Sequence, residues 1–287
     1  MATNNSLTKN QRPKFSVAIQ SEGYKNLINQ TIGDPKRSAR FIASITSAVS
    51  VNPKLQECEA STILSAGLLG EALNLSPSPQ LGMFYMVPYD DKKRGCKVAT
   101  FQMGYKGYVQ LAIRSGYYKK INVLPIKEGE LVSFDPLSEE IEVNLIEDEE
   151  AREKAKTIGY YCFFEYLNGF RKAMYWSYQK MLAHADKYSK AFSKEAYEKL
   201  QRGEIPQSEM WKYSSFWYTA FDDMGCKTLL RQIISKWGIM STELIRAFET
   251  DESIGVVKGG EIVTEAVEVP EEPAVTIDQP MEADPLA

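Results

Sequence analysis

The chain has a single histidine, His184, and nowhere contains the dipeptide Gly-Lys. The second absence removes the phosphate-cradling GxxxxGK[ST] loop and, with it, the nucleotide-driven motors that remodel DNA. The first leaves too few imidazoles for a histidine-rich metal centre and only one for a catalytic triad. Four cysteines, Cys58, Cys96, Cys162 and Cys226, lie far apart and form no CxxC pair; buried thiols fit that spacing better than a disulfide framework or a zinc knuckle. No apolar run approaches the roughly 20 residues that span a bilayer. The opening MATNNSLTKNQRPK lacks the apolar core of a signal peptide. These absences lead to the expectation of a cytoplasmic, soluble protein without metal or cofactor.

One further absence is local. Between Lys92 and Lys127 there are nine basic residues and no Asp or Glu, although the whole chain carries a net charge of −4. The charge is sorted into blocks. From Glu249 onward eleven acids face one base, Lys258, and from Glu128 to Glu153 eleven acids face Arg152 alone. Blocks of this kind belong to surfaces or tails with separate tasks.

With 287 residues, 44 % of them hydrophobic, the chain can bury a substantial core as one large domain or two small ones. Residues 1–14 are polar and aperiodic and read as disordered. Helical spacing covers Phe15–Ile32. Asp34-Pro35, an N-cap followed by proline at the first helical position, opens a helix over Lys36–Val51. Glu57–Leu75 is the most apolar helix, broken by the SPSP run Ser76–Pro79. Met83–Tyr89 and Lys97–Met103 read as strands around the polar turn DDKKRG. Gly104–Ser115 is a helix closed by Gly116, Tyr118–Ile126 a strand, and Leu131–Ile146 one or two short acidic strands. Ile158–Leu167 and Phe170–Ser177 flank Asn168-Gly169, a strong hairpin signal. Helices follow over Tyr178–Ser189, Lys194–Gln201, Ser214–Trp237 and Thr242–Thr250. The remainder reads as a disordered acidic tail. The expected fold is α+β, a small antiparallel sheet flanked by helices, with a working domain over 15–250 and a tail over 251–287.

Within the acid-free window, Lys106, Gln110 and Arg114 recur every four residues and form one stripe of a helix, while Val109, Ala112 and Ile113 turn mostly away. Solvated helix faces usually mix charges as i,i+4 pairs; this one does not. Lys92 and Lys97 precede the stripe, and Lys119 and Lys120 follow it. Phe101, Gln102 and Tyr105 sit among these cations. Farther on, Lys180 and Lys187 share a helix with His184, Trp217 lies in the run WKYSSFWY, and Lys227 and Arg231 are on the next long helix. Cations that follow a backbone, together with rings on which bases stack, are the means by which single-stranded nucleic acid is held. A charged, solvated face and an aromatic core are the plain alternatives for these residues. Gly104-Tyr105-Lys106-Gly107 fits a phosphate cradle at a helix start or simply a tight strand-to-helix turn. Asp222-Asp223, with acids of 128–153, is what a metal-dependent nuclease would use, but adjacent helical residues point to different faces.

The blocks AGLLGEALNLSP and QLGMFYMVPY at Ala66–Tyr89, FQMGYKGYVQLAIRSG at Phe101–Gly116 and DDMGCKTLLRQIISKWGIMSTEL at Asp222–Leu244 occur in an order that resembles the RecT family of phage and prophage recombinases, over Glu57–Glu249. The resemblance implies an ATP-independent protein that anneals complementary single strands through a duplex annealing intermediate. It implies assembly into rings or helical filaments on DNA, and a compact core like that of eukaryotic annealing proteins. It also implies a bacterial cytoplasm, a partner exonuclease and a host single-strand binding protein. A passive single-strand coating protein and a nuclease are the rival readings.

Overall fold

The computed structural model describes residues 13–258 and 261–266. Three helices come first: α1 (Phe15–Ala18), α2 (Glu22–Ile32) and α3 (Pro35–Ser50). The expected single helix over 15–32 is thus split, with Ser21 as the N-cap of α2. Asp34 caps α3 as anticipated, its carboxylate accepting from the amides of Lys36 at 2.7 Å and Arg37 at 3.3 Å. Phe41, Ile45, Ala48 and Val49 recur at helical spacing and are all buried. After a 3-10 turn (Pro53–Glu57) comes α4 (Ala60–Ala72), apolar on all sides and buried on most of them. It is the central helix of the N-terminal half.

Strands β1 (Phe84–Asp91) and β2 (Cys96–Met103) form an antiparallel hairpin with Phe84 opposite Met103. Phe84, Met86, Ala99, Phe101 and Met103 point into the core; Tyr85, Tyr89 and Gln102, one residue out of phase, point the other way. Helix α5 (Tyr105–Arg114) follows directly. A second sheet has the order β3-β6-β7, from β3 (Tyr118–Lys127), β6 (Thr157–Tyr166) and β7 (Arg171–Ser177). The Asn168-Gly169 turn joins β6 to β7 with Gly169 at φ 86°, a left-handed conformation that glycine adopts without penalty.

Inserted between β3 and β6 are the acidic hairpin β4 (Leu131–Asp135) and β5 (Glu140–Val143), then α6 (Glu149–Lys154). Alternation in β6 explains how both sides of this sheet are used. Tyr160, Cys162, Phe164 and Tyr166 enter the main core. Tyr161 faces Leu131, Ile141 and Val143 of the hairpin in a small separate cluster. Glu130 ties the hairpin down. Its side chain is fully buried, accepting from Arg152 Nε at 2.6 Å and from the amides of Lys127 and Ile146. Burial pushes this carboxyl up, but the Arg152 and backbone hydrogen bonds outweigh it and hold the pKa below the ordinary value. Its stabilisation is therefore present above about pH 4.5 and lost as pH falls through the lower folded value. Glu130→Gln should cost about 2 kcal/mol at neutral pH. Thermal midpoints of the two proteins should converge as the pH is lowered through that folded value, and a constant gap would contradict this role.

The helical half of the C-terminal region comprises α7 (Tyr178–Tyr188), α8 (Lys194–Gln201), α9 (Phe216–Thr219), α10 (Phe221–Trp237) and α11 (Thr242–Thr250). Helix α10 lies across all three strands of the second sheet, with α5 on its β3 side and α7 over β6 and β7. The fold is α+β with small antiparallel sheets, as expected.

The tail boundary at 250 is corrected. Residues 253–266, assigned to the disordered tail, form β8 (Ser253–Lys258) and β9 (Glu261–Ala266) and extend the first sheet to β1-β2-β8-β9. Ser253 pairs with Phe101, and Ile254 is buried. Two valine-containing runs around Gly259-Gly260 were the available signal; the acidic composition masked it. The expected disorder of residues 1–12 and 267–287 lies outside the described residues. No helix among the described residues is long and apolar enough to cross a membrane.

Candidate nucleic-acid interface

The stripe on α5 is real. Lys106, Gln110 and Arg114 are exposed on one face, while Tyr108, Leu111 and Ala112 are buried on the other. Ile113, expected to turn inward, is 53 % exposed and borders the stripe. The start of α5 is seated by its glycines. The Gly104 amide donates to the Met83 carbonyl at 2.9 Å. A β-carbon at Gly104 or Gly107 would fall well inside contact distance of the Gly82 or Met83 carbonyl oxygen, backbone atoms that cannot swing aside. GYKG therefore serves close packing of the helix against the Gly82–Met83 turn. Gly107→Ala should cost about 3 kcal/mol or more, read as a fall in thermal midpoint; unchanged stability would contradict the packing role.

Where α5 leaves the first sheet, rings collect. Tyr85 packs against Phe216 with centroids 5.2 Å apart. Lys106 Nζ stands 6.0 Å over the Tyr105 ring. Gln102 is directly opposite Tyr85 on the outward face, and Tyr89 on the same strand is 41 % exposed. Burial, and then the nearby Asp223 carboxylate, pushes the phenols of Tyr85 and Tyr105 upward. The structure brings Gln102, Tyr105, Lys106 and Gln110 onto one surface, with Lys92 exposed at the turn of the same hairpin. Tyr85, Tyr89 and Phe216, which the sequence reading did not single out, lie beside them. The period-2 alternation of FYMVPY placed Tyr85 and Tyr89 on one face, and that was the legible signal.

Several predicted contacts are elsewhere. Phe101 is fully buried because it neighbours Gln102 on a strand and so points to the opposite face. Trp217 is buried against Phe192 and Phe221. Lys227 is buried and 3.2 Å from Asp251, whose carboxylate also accepts from Tyr108 Oη and the Met103 amide. Arg231 extends towards the same carboxylate at 3.8 Å and lies over Phe248. Arg114 reaches back to donate to the carbonyls of Leu73 at 2.6 Å and Asn74 at 3.2 Å, closing the C-terminal end of α4. Lys180 and Lys187 lie on α7, over Trp176 and Tyr188 respectively.

The acid-free window is not free of acids in space. Glu57 pairs with Lys97 and Glu165 with Lys119, each at 2.5 Å. Asp91 and Glu265 hold Arg94, and Asp222 approaches Lys127. Among the described residues no carboxylate pairs with Lys92, Lys106 or Lys120. Asp222 is committed to structure: its oxygens accept from Tyr160 Oη and Thr157 Oγ1, both at 2.7 Å. Of the acids the nuclease reading needs on one ion, Asp222, Asp223 and those of 128–153, Asp222 is taken up here and Glu130 by Arg152.

This fold and interface can be set beside known proteins. The RecT family model matches residues 39–270, well over half of the chain. The chain belongs to the RecT family. Similarity extends to an uncharacterized protein, YqaK, of Bacillus subtilis (strain 168), 38 % identical over 267 residues, which cover 88 % of this chain and 82 % of that one. Protein RecT of Escherichia coli (strain K12) is 28 % identical over 140 residues, 45 % of this chain and 52 % of that protein. All three resembling blocks, including GYKG and the start of α10, fall inside the RecT match. RecT membership carries single-strand annealing in DNA recombination as the general activity.

Proposed function

We propose that this protein binds single-stranded DNA along the outward face of the β1–β2 hairpin and the Lys106–Gln110 side of α5. There it pairs complementary strands without nucleotide hydrolysis. The observation that carries the reading is the outward face that runs from exposed Lys92 at the β1–β2 turn to exposed Lys106 at the start of α5, neither paired with a carboxylate among the described residues, with half-exposed rings along it. Two approaching strands repel through their phosphates. Lys92 and Lys106 screen that repulsion, while Tyr85, Tyr89, Tyr105 and Phe216 offer faces to bases, each stack contributing about 1–3 kcal/mol. Pairing itself then supplies the driving free energy, so no covalent step or cofactor is needed. One subunit presents few cations, and a groove of useful length needs subunits side by side in a ring or filament. The N-terminal helices, where Val17 and Val51 stand exposed, are the candidate contact. A strand-producing exonuclease and the host single-strand binding protein are the expected partners, in a bacterium carrying the gene on a phage or prophage.

Titrating the protein with a labelled oligonucleotide at several salt concentrations tests this. Affinity should fall with salt, by about 0.7 in log–log slope for every phosphate held, and the oligonucleotide should stay full length in magnesium. Salt-independent binding, or shortening of the strand, would overturn the proposal.

A further inference from the structure

A second row of cations and rings lies on the far side of α10. Strand β7 is the open edge of its sheet. Lys172, Met174 and Trp176 are on its helix-facing side, opposite Phe164, Cys162 and Tyr160. Lys172 Nζ stands 3.9 Å over the ring of Trp237, and Lys180 Nζ 4.5 Å over that of Trp176. His184 follows, with its ring 5.2 Å from Trp176 and 4.6 Å from Tyr188, over which Lys187 is placed. Cation and ring thus alternate from the end of α10, along the edge, and up α7. The acids beside this row are Glu139, which pairs with Lys172, and Asp186, which accepts from the Lys194 amide. Burial, and then the neighbouring Lys236, lowers the Lys180 pKa, the response of an ammonium partly withdrawn from water beside another cation.

We propose that this β7-edge row is a second site for single-stranded nucleic acid, which holds the incoming strand while the α5 surface holds the first. Rings decide the ligand class. An acidic peptide would use the lysines alone and leave Trp237, 48 % exposed, without a purpose, whereas a base stacks on it. Lys172 to Trp176 spans four residues of strand, about 13 Å, enough for two or three nucleotides. The two surfaces lie on opposite flanks of α10, which packs against α5 and β3 on one side and β7 on the other, so a single subunit presents both. The inference rests on the annealing function proposed above.

The test uses the full-length protein saturated with one labelled oligonucleotide and titrated with a second, non-complementary one, so that base pairing contributes nothing. The variant Trp237→Ala with Lys180→Ala should keep first-strand affinity within about twofold and its thermal midpoint, but lose second-strand affinity about tenfold. Trp237→Phe should largely restore that affinity. A variant that takes up both strands like wild type would overturn the second site. So would equal loss of both strands, which would mean one continuous surface. Displacement of the second strand by a poly-glutamate peptide, with no effect of Trp237→Ala, would make the row an acidic-peptide surface and likewise overturn it. Wild-type protein that binds no first strand would sink the annealing reading itself, and this inference with it.

Discussion

Lys106→Glu should weaken binding of a single-stranded oligonucleotide about tenfold or more at moderate salt and leave the thermal midpoint unchanged. Lys106 is exposed, has no carboxylate partner among the described residues, and stands over the Tyr105 ring at the junction of β2 and α5. Reversal removes one phosphate contact, lowering the log–log salt slope by about 0.7, and adds repulsion that salt screens. Arg114→Glu, about two turns along the same stripe, should behave differently. Its guanidinium closes the end of α4 through the Leu73 and Asn74 carbonyls, and a carboxylate there would face those same oxygens. That variant should lose stability first and binding only as a consequence. If Lys106→Glu left affinity and slope unchanged, the α5 stripe would not be the DNA surface.

The second large effect is on stability. Lys227→Met should destabilise the fold by about 3–5 kcal/mol, since it takes the nearest cation from the buried Asp251 carboxylate, 1 % exposed, and leaves it only the more distant Arg231 at 3.8 Å. In a domain of this size that is a fall in thermal midpoint of roughly 10 °C. Asp251 links β2, α5 and α10 through Met103, Tyr108 and Lys227. The double change Lys227→Met with Asp251→Leu should therefore recover part of the loss, because neither charge is left unpaired. Salt slopes for DNA binding should not move in any of these variants that remains folded. A changed slope with an unchanged midpoint would return Lys227 to the interface.

These two residues mark the limit of what the sequence discloses. Lys106 was legible because a helix repeats every 3.6 residues, and the apolar positions of α5 assign its faces. Lys227 sits on an equally regular helix, but its fate depends on Asp251, 24 residues away, arriving through a turn that no local pattern announces. Phe101 illustrates a finer error. Both Phe101 and Gln102 lie in a basic, ring-rich stretch, but a strand sends neighbours to opposite faces, so only one of them can meet a ligand. Counting acids between Lys92 and Lys127 failed for a related reason, because Glu57, Glu165, Asp222 and Glu265 come from other elements. Signals contained in a few consecutive residues were readable, among them the Asp34-Pro35 cap, the Asn168-Gly169 turn and the order of helices and strands. Even so, the β8–β9 hairpin was lost to the acidic composition of its surroundings.

The central claim is that this RecT-family chain speeds pairing rather than merely coating strands. Mixing two complementary oligonucleotides with the protein, without ATP and with the metal ions chelated, and following duplex formation over time tests it most directly. The account predicts pairing well above the protein-free rate, strongly reduced by Lys106→Glu. Strands that are bound and protected yet pair no faster than in its absence would contradict it.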